Sequence, residues 1–137
     1  MPYDIRKEEK FDINKNTDVF SLRKKIRELC SDIGFSLVDV TKVVTISSEL
    51  SRNVILYAKK GKVILRKISN GSKKGIMMVF EDNGPGIENI KLAMTNGYTT
   101  SKGLGLGLSG SKRLSDEFSI ESKKGEGTKI VSIKWKR

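Results

Sequence analysis

Two glycine-rich segments constrain the fold of this chain more than any other feature of its sequence. Residues 81–87 place an acidic residue and a tight Gly-Pro-Gly turn after an apolar strand pattern, and residues 103–108 alternate glycine with leucine before a helical pattern. The carboxylate of the first segment can accept a hydrogen bond from an amino group. The second segment can offer backbone N–H groups to phosphates. Together they predict a nucleotide site beside a carboxylate.

A third motif lies upstream, where Glu49, Arg52 and Asn53 occur in a helical pattern. Glu49 and Asn53 are four residues apart, so a helix projects them from the same side, and Arg52 borders that side. The Asn53 amide oxygen suits Mg²⁺, and the Glu49 carboxylate can accept a proton from a hydroxyl or a water. Taken alone, the same residues are also typical of a solvated polar helix face.

The glycine-rich segments have simpler interpretations too. Asp82 ends an apolar strand, where its carboxylate can accept a hydrogen bond from an adenine amino group, and Gly84 and Gly86 permit positive φ and close approach of a ligand. An ordinary turn explains the same residues, because Asn-Gly and Pro-Gly are common in turns. Residues 103–107 form neither a P-loop nor a full dinucleotide motif. Taken alone, they also fit a mobile linker.

The absence of histidine excludes several kinds of chemistry. A chain without imidazole side chains cannot form a Ser-His-Asp triad, has no histidine to autophosphorylate and lacks the ligand that most zinc sites use. Any reaction must use carboxylates, amides, hydroxyls, lysine, arginine or a bound metal. The single cysteine, Cys30, excludes an intrachain disulfide and is expected to be a buried structural thiol on the apolar face of a helix.

The net charge of +11 is spread over the whole chain. No aromatic residues interleave with the basic ones, as a stacking platform for bases would require. A solvated basic surface, or attraction to an acidic protein or a polyphosphate ligand, is a simpler explanation than nucleic-acid binding. No apolar run approaches the ~20 residues that span a bilayer, and no signal peptide is recognisable. We therefore expect a cytoplasmic protein with neither a nucleic-acid partner nor a membrane partner.

The periodicity predicts a single domain over residues 1–137. The N-terminal edge strand is expected to place its apolar residues on one face, namely Tyr3, Ile5, Phe11 and Ile13. The elements that follow are predicted as helices 19–33 and 37–58, strands 63–68 and 76–81, a helix 108–114 and two last strands containing Phe118, Ile120, Val131, Ile133 and Trp135. The second helix is expected to bury Val43, Ile46, Leu50, Val54 and Tyr57. This order predicts a two-layer α/β (α+β) sandwich, with helices on one face of a mostly antiparallel sheet.

Four ordered motifs extend this interpretation over the whole chain. They are Glu-x-x-x-Asn on a helix, Asp-x-Gly-x-Gly after a strand, Gly-x-Gly-x-Gly before a helix and Gly-Thr at the last strand. This order resembles the GHKL ATPase superfamily, which includes DNA gyrase, histidine kinases and MutL and shares the Bergerat ATP-binding fold. Residues 46–53, 99–108 and 112–118 are most similar to its anti-sigma-factor serine kinase branch, in particular to stressosome kinases.

The resemblance implies ATP and Mg²⁺ as ligands and gives roles to the helical motif. Glu49 would be the general base that activates the acceptor serine, Arg52 would lie near the phosphates, and Asn53 would hold Mg²⁺. On the strands, Asp82 would bind the adenine amino group and Thr128 would reach the base through water. The glycines implied beside the base are Gly84 and Gly86.

The remaining implied residues belong to the lid and to the phosphate-binding segment. The lid would extend from about residue 90 to residue 102. Within it, Lys102 would either neutralise phosphate charge or be a mobile surface lysine. The phosphates would be cradled at the start of the next helix by Gly103, Leu104, Gly105, Leu106, Gly107 and Leu108.

The function implied is that of a protein serine/threonine kinase. It would phosphorylate STAS-domain antagonist and scaffold proteins of a stressosome and, once released, activate a PP2C-type phosphatase. The alternative is a binding module that sequesters a sigma factor, with kinase activity secondary. A gyrase-like clamp would need a transducer domain, and a histidine kinase acting in cis would need a histidine, so neither is expected.

Overall fold

The computed structural model describes residues 3–87, 90–94 and 107–137. Its strands are β1 (Asp4–Ile13), β2 (Gly61–Asn70), β3 (Lys73–Asp82), β4 (Glu117–Lys123) and β5 (Gly127–Trp135). Its helices are α1 (Asn16–Ile33), α2 (Leu37–Asn53), α3 (Ile90–Ala93) and α4 (Gly107–Leu114), and a π-helical turn (Val54–Ala58) directly continues α2. Within the described ranges, none of the helices has both the length and the apolar character that crossing a bilayer requires.

The five strands form one antiparallel sheet in the order β1-β2-β3-β5-β4. α1 and α2 pack on each other and against one face of this sheet, where they bury the larger apolar cluster. The predicted two-layer sandwich with an antiparallel sheet is therefore confirmed. β2 and β3 are longer than predicted, because only the two residues Gly71 and Ser72 separate them.

Local signals end α1 and begin α2. Gly34 ends α1 in the left-handed region with φ 94, a conformation that glycine adopts without a steric penalty. The Ser36 hydroxyl then caps α2 by accepting a hydrogen bond from the Asp39 N–H. Because the connection is short, the helices run side by side in opposite directions. The end of α2 therefore lies beside the start of α1.

β1 was predicted to present its apolar residues to one face of the sheet, but it does not. Its register against β2 shifts between Ile5 and Lys7, which marks a bulge. The extra residue turns the side chains before the bulge to the opposite face from those after it. Phe11 accordingly packs against the helix-side cluster, whereas Tyr3 packs on the other face against Trp135, with ring centroids 5.3 Å apart. The predicted common face was therefore wrong.

The second predicted helix changes geometry near its end. It is α-helical to Asn53 and π-helical over Val54–Ala58. Hydrogen bonds from i to i+5 widen the turn, so the apolar stripe rotates around the helix axis. Tyr57 is consequently 43% exposed, and Ala58 lies against Gly84 instead. The predicted burial of Tyr57 was wrong for this reason.

Cys30 is buried in the helix-side cluster, as predicted. Burial, together with the charge of Asp39, raises the pKa of its thiol from an ordinary 9.0 to about 12. Between these pH values only the unfolded chain gains the thiolate charge, so the folded state loses relative stability as the pH rises. We expect the free energy of unfolding in urea to fall from pH 9.0 towards about pH 12, and to fall less steeply in Cys30→Ala. An equal slope in both proteins would contradict this.

Candidate active site

Glu49 lies on α2 with its carboxylate largely withdrawn from solvent. Its side chain is 9% exposed, and Oε1 accepts a 2.7 Å hydrogen bond from Nη1 of Arg52, which is itself 42% exposed. A buried carboxylate needs such a partner, because burying an unpaired charge is costly. The alternative interpretation, a fully solvated polar face, is therefore wrong for Glu49. The ion pair also fixes the direction of the carboxylate.

Asn53 is the last residue of α2 and is half-buried. In the described part of the chain, no three acidic, histidine or cysteine side chains gather as metal ligands. An amide oxygen such as that of Asn53 is a hard donor, which suits a Mg²⁺ ion that takes its other ligands from phosphates and water. The donor set therefore fits a metal that arrives with a nucleotide, and it does not fit an ion held by protein alone.

Asp82 is the final residue of β3, where the sheet pairs it with Gly61 of β2 and Thr128 of β5. Its Oδ1 accepts a 2.9 Å hydrogen bond from the Gly84 N–H. This bond holds the carboxylate in place and leaves Oδ2 for an amino group of a ligand. The structure thus brings together Asp82 and Thr128, which the sequence predicted as neighbours at one base.

Gly84 and Gly86 allow the turn after Asp82 to pack tightly. A Cβ on Gly84 would lie 2.6 Å from the Ala58 Cβ, at the end of the π-helical turn. Gly86 has φ +74, and a Cβ there would overlap the Lys123 carbonyl oxygen. The turn is therefore packed between the continuation of α2 and the β4–β5 hairpin. This packing places Asp82 near the helix that carries Glu49 and Asn53.

Two residues at this edge of the sheet were not predicted as site residues. Gly127 has φ +90 and approaches Asp82 so closely that a Cβ would overlap the Asp82 carbonyl oxygen. The Ser122 hydroxyl lies 2.8 Å from Thr128 Oγ1 and accepts a 2.7 Å hydrogen bond from the Ile87 N–H. Gly127 belongs to the Gly-Thr motif at the last strand, although only Thr128 of that motif was predicted as a site residue, and a serine within an alternating strand is too common to give a specific signal for Ser122.

A cleft of about 670 Å³ opens where β3, β4 and β5 meet. Its lining includes Asp82, Ser122 and Thr128, together with Ile90 at the start of α3. The volume lies within the range of about 300–1,000 Å³ typical of small-molecule sites. Of the residues predicted at the base, Asp82 and Thr128 therefore line this cleft, whereas Gly84 and Gly86 are not part of its lining.

Only part of the predicted phosphate-binding segment is described. Gly107, with φ +50, is the first residue of α4, and Leu108 is buried in the core. α4 packs against α2, the helix of Glu49. The predicted lid is described only over residues 90–94, as α3 and the residue that follows it. The predicted site residues that lie outside the described ranges are Lys102, Gly103, Leu104, Gly105 and Leu106.

Residues 38–137 match the family model described as "Histidine kinase-, DNA gyrase B-, and HSP90-like ATPase". Among curated proteins, the chain is 46% identical over 120 residues to "Serine/threonine-protein kinase RsbT" of Bacillus subtilis, with 88% of this chain and 90% of that protein covered. It is also 31% identical over 126 residues to "Anti-sigma F factor" of Clostridium kluyveri, with 89% of each covered.

Two solved structures share the fold at low sequence identity. The RsbU and RsbW domains of Rv1364c from Mycobacterium tuberculosis align with a TM-score of 0.61 at 18% identity, over 94% of this chain and 33% of that longer chain. The mycobacterial sensor histidine kinase MprB aligns with a TM-score of 0.53 at 20% identity, over 96% of this chain and 99% of that one. At these identities the likeness concerns the fold alone.

Proposed function

Because this chain belongs to the family of histidine kinase-, DNA gyrase B- and HSP90-like ATPases and is a protein serine/threonine kinase, we propose that it phosphorylates STAS-domain antagonist and scaffold proteins of a stressosome. Once released from them, it activates a PP2C-type phosphatase. The phosphoryl donor is ATP, bound with Mg²⁺. We place this partner switching in the cytoplasm, where ATP is supplied.

The observation that carries this proposal is the position of Glu49. Its buried carboxylate, aligned by Arg52, lies one helical turn before Asn53. The π-helical turn that continues α2 then contacts the Gly84 turn beside Asp82. One helix thus carries the proposed proton acceptor and the proposed metal ligand, and its π-helical continuation packs against the turn that follows Asp82. Phosphoryl transfer to a hydroxyl needs these groups to be positioned together.

Each of these residues has a defined part in the proposed reaction. Glu49 takes the proton of the acceptor hydroxyl as the hydroxyl oxygen attacks the γ-phosphorus, and the bond from that phosphorus to the β-phosphate oxygen breaks, so that ADP leaves. Arg52 orients Glu49 and contributes positive charge near the phosphates. Asn53 would hold the Mg²⁺ ion that accompanies ATP, and Asp82 and Thr128 would hold the base. The phosphate contacts of residues 102–108 remain a prediction.

The experiment that tests this function gives the kinase several candidate acceptor proteins in one reaction. The chain is incubated with Mg²⁺, ATP and purified STAS-domain proteins, and every chain is then examined by mass spectrometry. We expect phosphate on a serine or threonine of a STAS domain, and far less of it in the same incubation time when the Glu49→Gln variant is used in place of the unchanged chain. Phosphate on no STAS protein, from a preparation that binds ATP, would contradict the proposed substrate class.

Sequestration of a sigma factor remains the second candidate. The observation that favours it is the 31% identity to an anti-sigma F factor over 89% of both chains. Pull-down from a lysate separates the two proposals. Recovery of STAS-domain proteins and a phosphatase supports the first, whereas recovery of a sigma factor supports the second.

Asp82→Asn is expected to weaken ATP binding and to reduce the preference for adenine over guanine. The amide presents an NH₂ group where the adenine amino group needs an acceptor, and a donor left unpaired costs about 1–3 kcal/mol. Calorimetry with ATP and GTP measures both effects. Equal ATP affinity in the variant would show that Asp82 does not contact the base.

Asn53→Ala is expected to remove the part of nucleotide affinity that depends on Mg²⁺. Alanine has no oxygen to replace the amide ligand. Affinity is measured with Mg²⁺ and again with a chelator, and the ratio of the two values should fall towards one. Retention of the ratio seen in the unchanged chain would argue against this ligand.

A further inference from the structure

Ser122 occupies the point where three segments of the cleft meet. Its Oγ accepts a 2.7 Å hydrogen bond from the Ile87 N–H, donates to the Gly127 carbonyl oxygen at 2.9 Å and lies 2.8 Å from Thr128 Oγ1. The side chain is half-buried on β4, on the same edge of the sheet as Asp82. No role for Ser122 is included in the proposed phosphoryl transfer.

The Ser122 hydroxyl has only one proton, and this limits which of Ser122 and Thr128 can donate the hydrogen bond between them. A serine hydroxyl has one proton and can accept two hydrogen bonds. If Ser122 gives its proton to Gly127 and accepts from Ile87, the contact with Thr128 requires Thr128 to be the donor. All three contacts are then hydrogen bonds. If Ser122 instead donates to Thr128, the Gly127 carbonyl loses this donor, so the first arrangement is favoured.

In the favoured arrangement the only proton of the Thr128 hydroxyl is directed at Ser122. Towards the cleft, Thr128 then offers only lone pairs to a group that binds beside Asp82. The Asp82 carboxylate beside it is also an acceptor. An edge made of two acceptors matches the exocyclic amino group of adenine. The same two acceptors repel the carbonyl oxygen that guanine carries at this position.

We propose that Ser122 is a positioning residue that sets base specificity, by orienting the Thr128 hydroxyl as an acceptor. The inference rests on the proposed ATP-binding function and adds the source of its selectivity. Loss of the Ser122 hydroxyl frees the Thr128 proton, which can then be donated to a guanine carbonyl. The nearby turn keeps a second attachment to the hairpin, because the Gly125 N–H donates to the Pro85 carbonyl oxygen at 2.6 Å.

The test compares ADP and GDP in competition titrations against a fluorescent nucleotide. In Ser122→Ala we expect ADP affinity to fall and GDP affinity to hold or rise, so that their ratio drops about 3- to 10-fold, the size of one lost hydrogen bond. Ser122→Thr keeps a hydroxyl and should retain the ratio. Ser119→Ala removes an exposed hydroxyl from the same strand and is the matched control.

A double-mutant cycle separates this role from a purely structural one. In a Thr128→Val background no hydroxyl remains to be oriented, so adding Ser122→Ala should leave the ADP-to-GDP ratio where Thr128→Val put it. A ratio unaffected by Ser122→Ala alone, or a drop that persists in the valine background, would overturn the inference. If the folded, unchanged chain bound neither ADP nor ATP, the proposed function itself would fail, and this inference with it.

Discussion

Replacing Glu49 with glutamine is expected to slow phosphoryl transfer about 10²–10⁴-fold, the usual cost of losing a general base. The amide has nearly the same shape as the carboxylate but cannot take up the proton of the acceptor hydroxyl. Its carbonyl oxygen can still accept the hydrogen bond from Arg52 Nη1 that holds Glu49 at 2.7 Å. We therefore expect a nucleotide affinity close to that of the unchanged chain.

A single-turnover assay with saturating ATP and Mg²⁺ measures this effect without a contribution from product release. The matched control is Glu28→Gln, because Glu28 also pairs with a basic residue three positions away, at 3.5 Å from Lys25, but is 54% exposed. The control should keep its transfer rate. Rapid transfer by Glu49→Gln would exclude Glu49 as the base, and a loss of ATP binding would assign it a different role.

Gly86→Ala is expected to lower the free energy of unfolding by about 2–5 kcal/mol and to remove nucleotide binding. Alanine has a steric penalty in the left-handed backbone conformation at φ +74, and its Cβ would overlap the Lys123 carbonyl oxygen. The chain can relieve this overlap only by separating the turn after Asp82 from the β4–β5 hairpin. That movement would open the predicted base pocket.

Gly71→Ala is the control for this variant, because Gly71 has φ +64 but no atom within 4 Å of the added Cβ. We expect Gly71→Ala to lower the free energy of unfolding only by the backbone penalty, about 1–2 kcal/mol, and to leave nucleotide affinity unchanged. Urea denaturation and ADP titration of both variants separate the two contributions. Equal losses of stability, with binding intact in both, would mean that the hairpin and the turn are not tightly packed.

Local patterns were sufficient to predict the elements that carry the proposed site. Apolar residues spaced three and four positions apart predicted both long helices. Asp82 was recognisable because a carboxylate and a tight turn directly follow an apolar strand. Thr128 was recognisable only through the order of motifs along the chain. Its contact with Asp82 depends on the pairing of β3 with β5, which local patterns do not reveal.

Two features escaped prediction because one residue changes the phase of an element. The bulge near Arg6 and the π-helical turn after Asn53 each add a residue to a regular repeat. An apolar pattern read with a fixed period then assigns Tyr3 and Tyr57 to the wrong faces. Ser122 was missed for a different reason. Its importance comes from contacts with Ile87, Gly127 and Thr128, to which a serine in a strand gives no local clue.

The order of the strands has a consequence for how the molecule folds. β5 comes last among the five strands along the chain, yet it lies inside the sheet, between β3 and β4. Until β5 inserts, β3 and β4 each lack this neighbour, and Asp82 has no Thr128 beside it. Such distant pairing is slow, because loop-closure entropy is lost before the contacts form. On the proposed site, a copy in which β5 has not yet inserted would lack the base pocket between Asp82 and Thr128, so nucleotide binding is expected only once the sheet is complete.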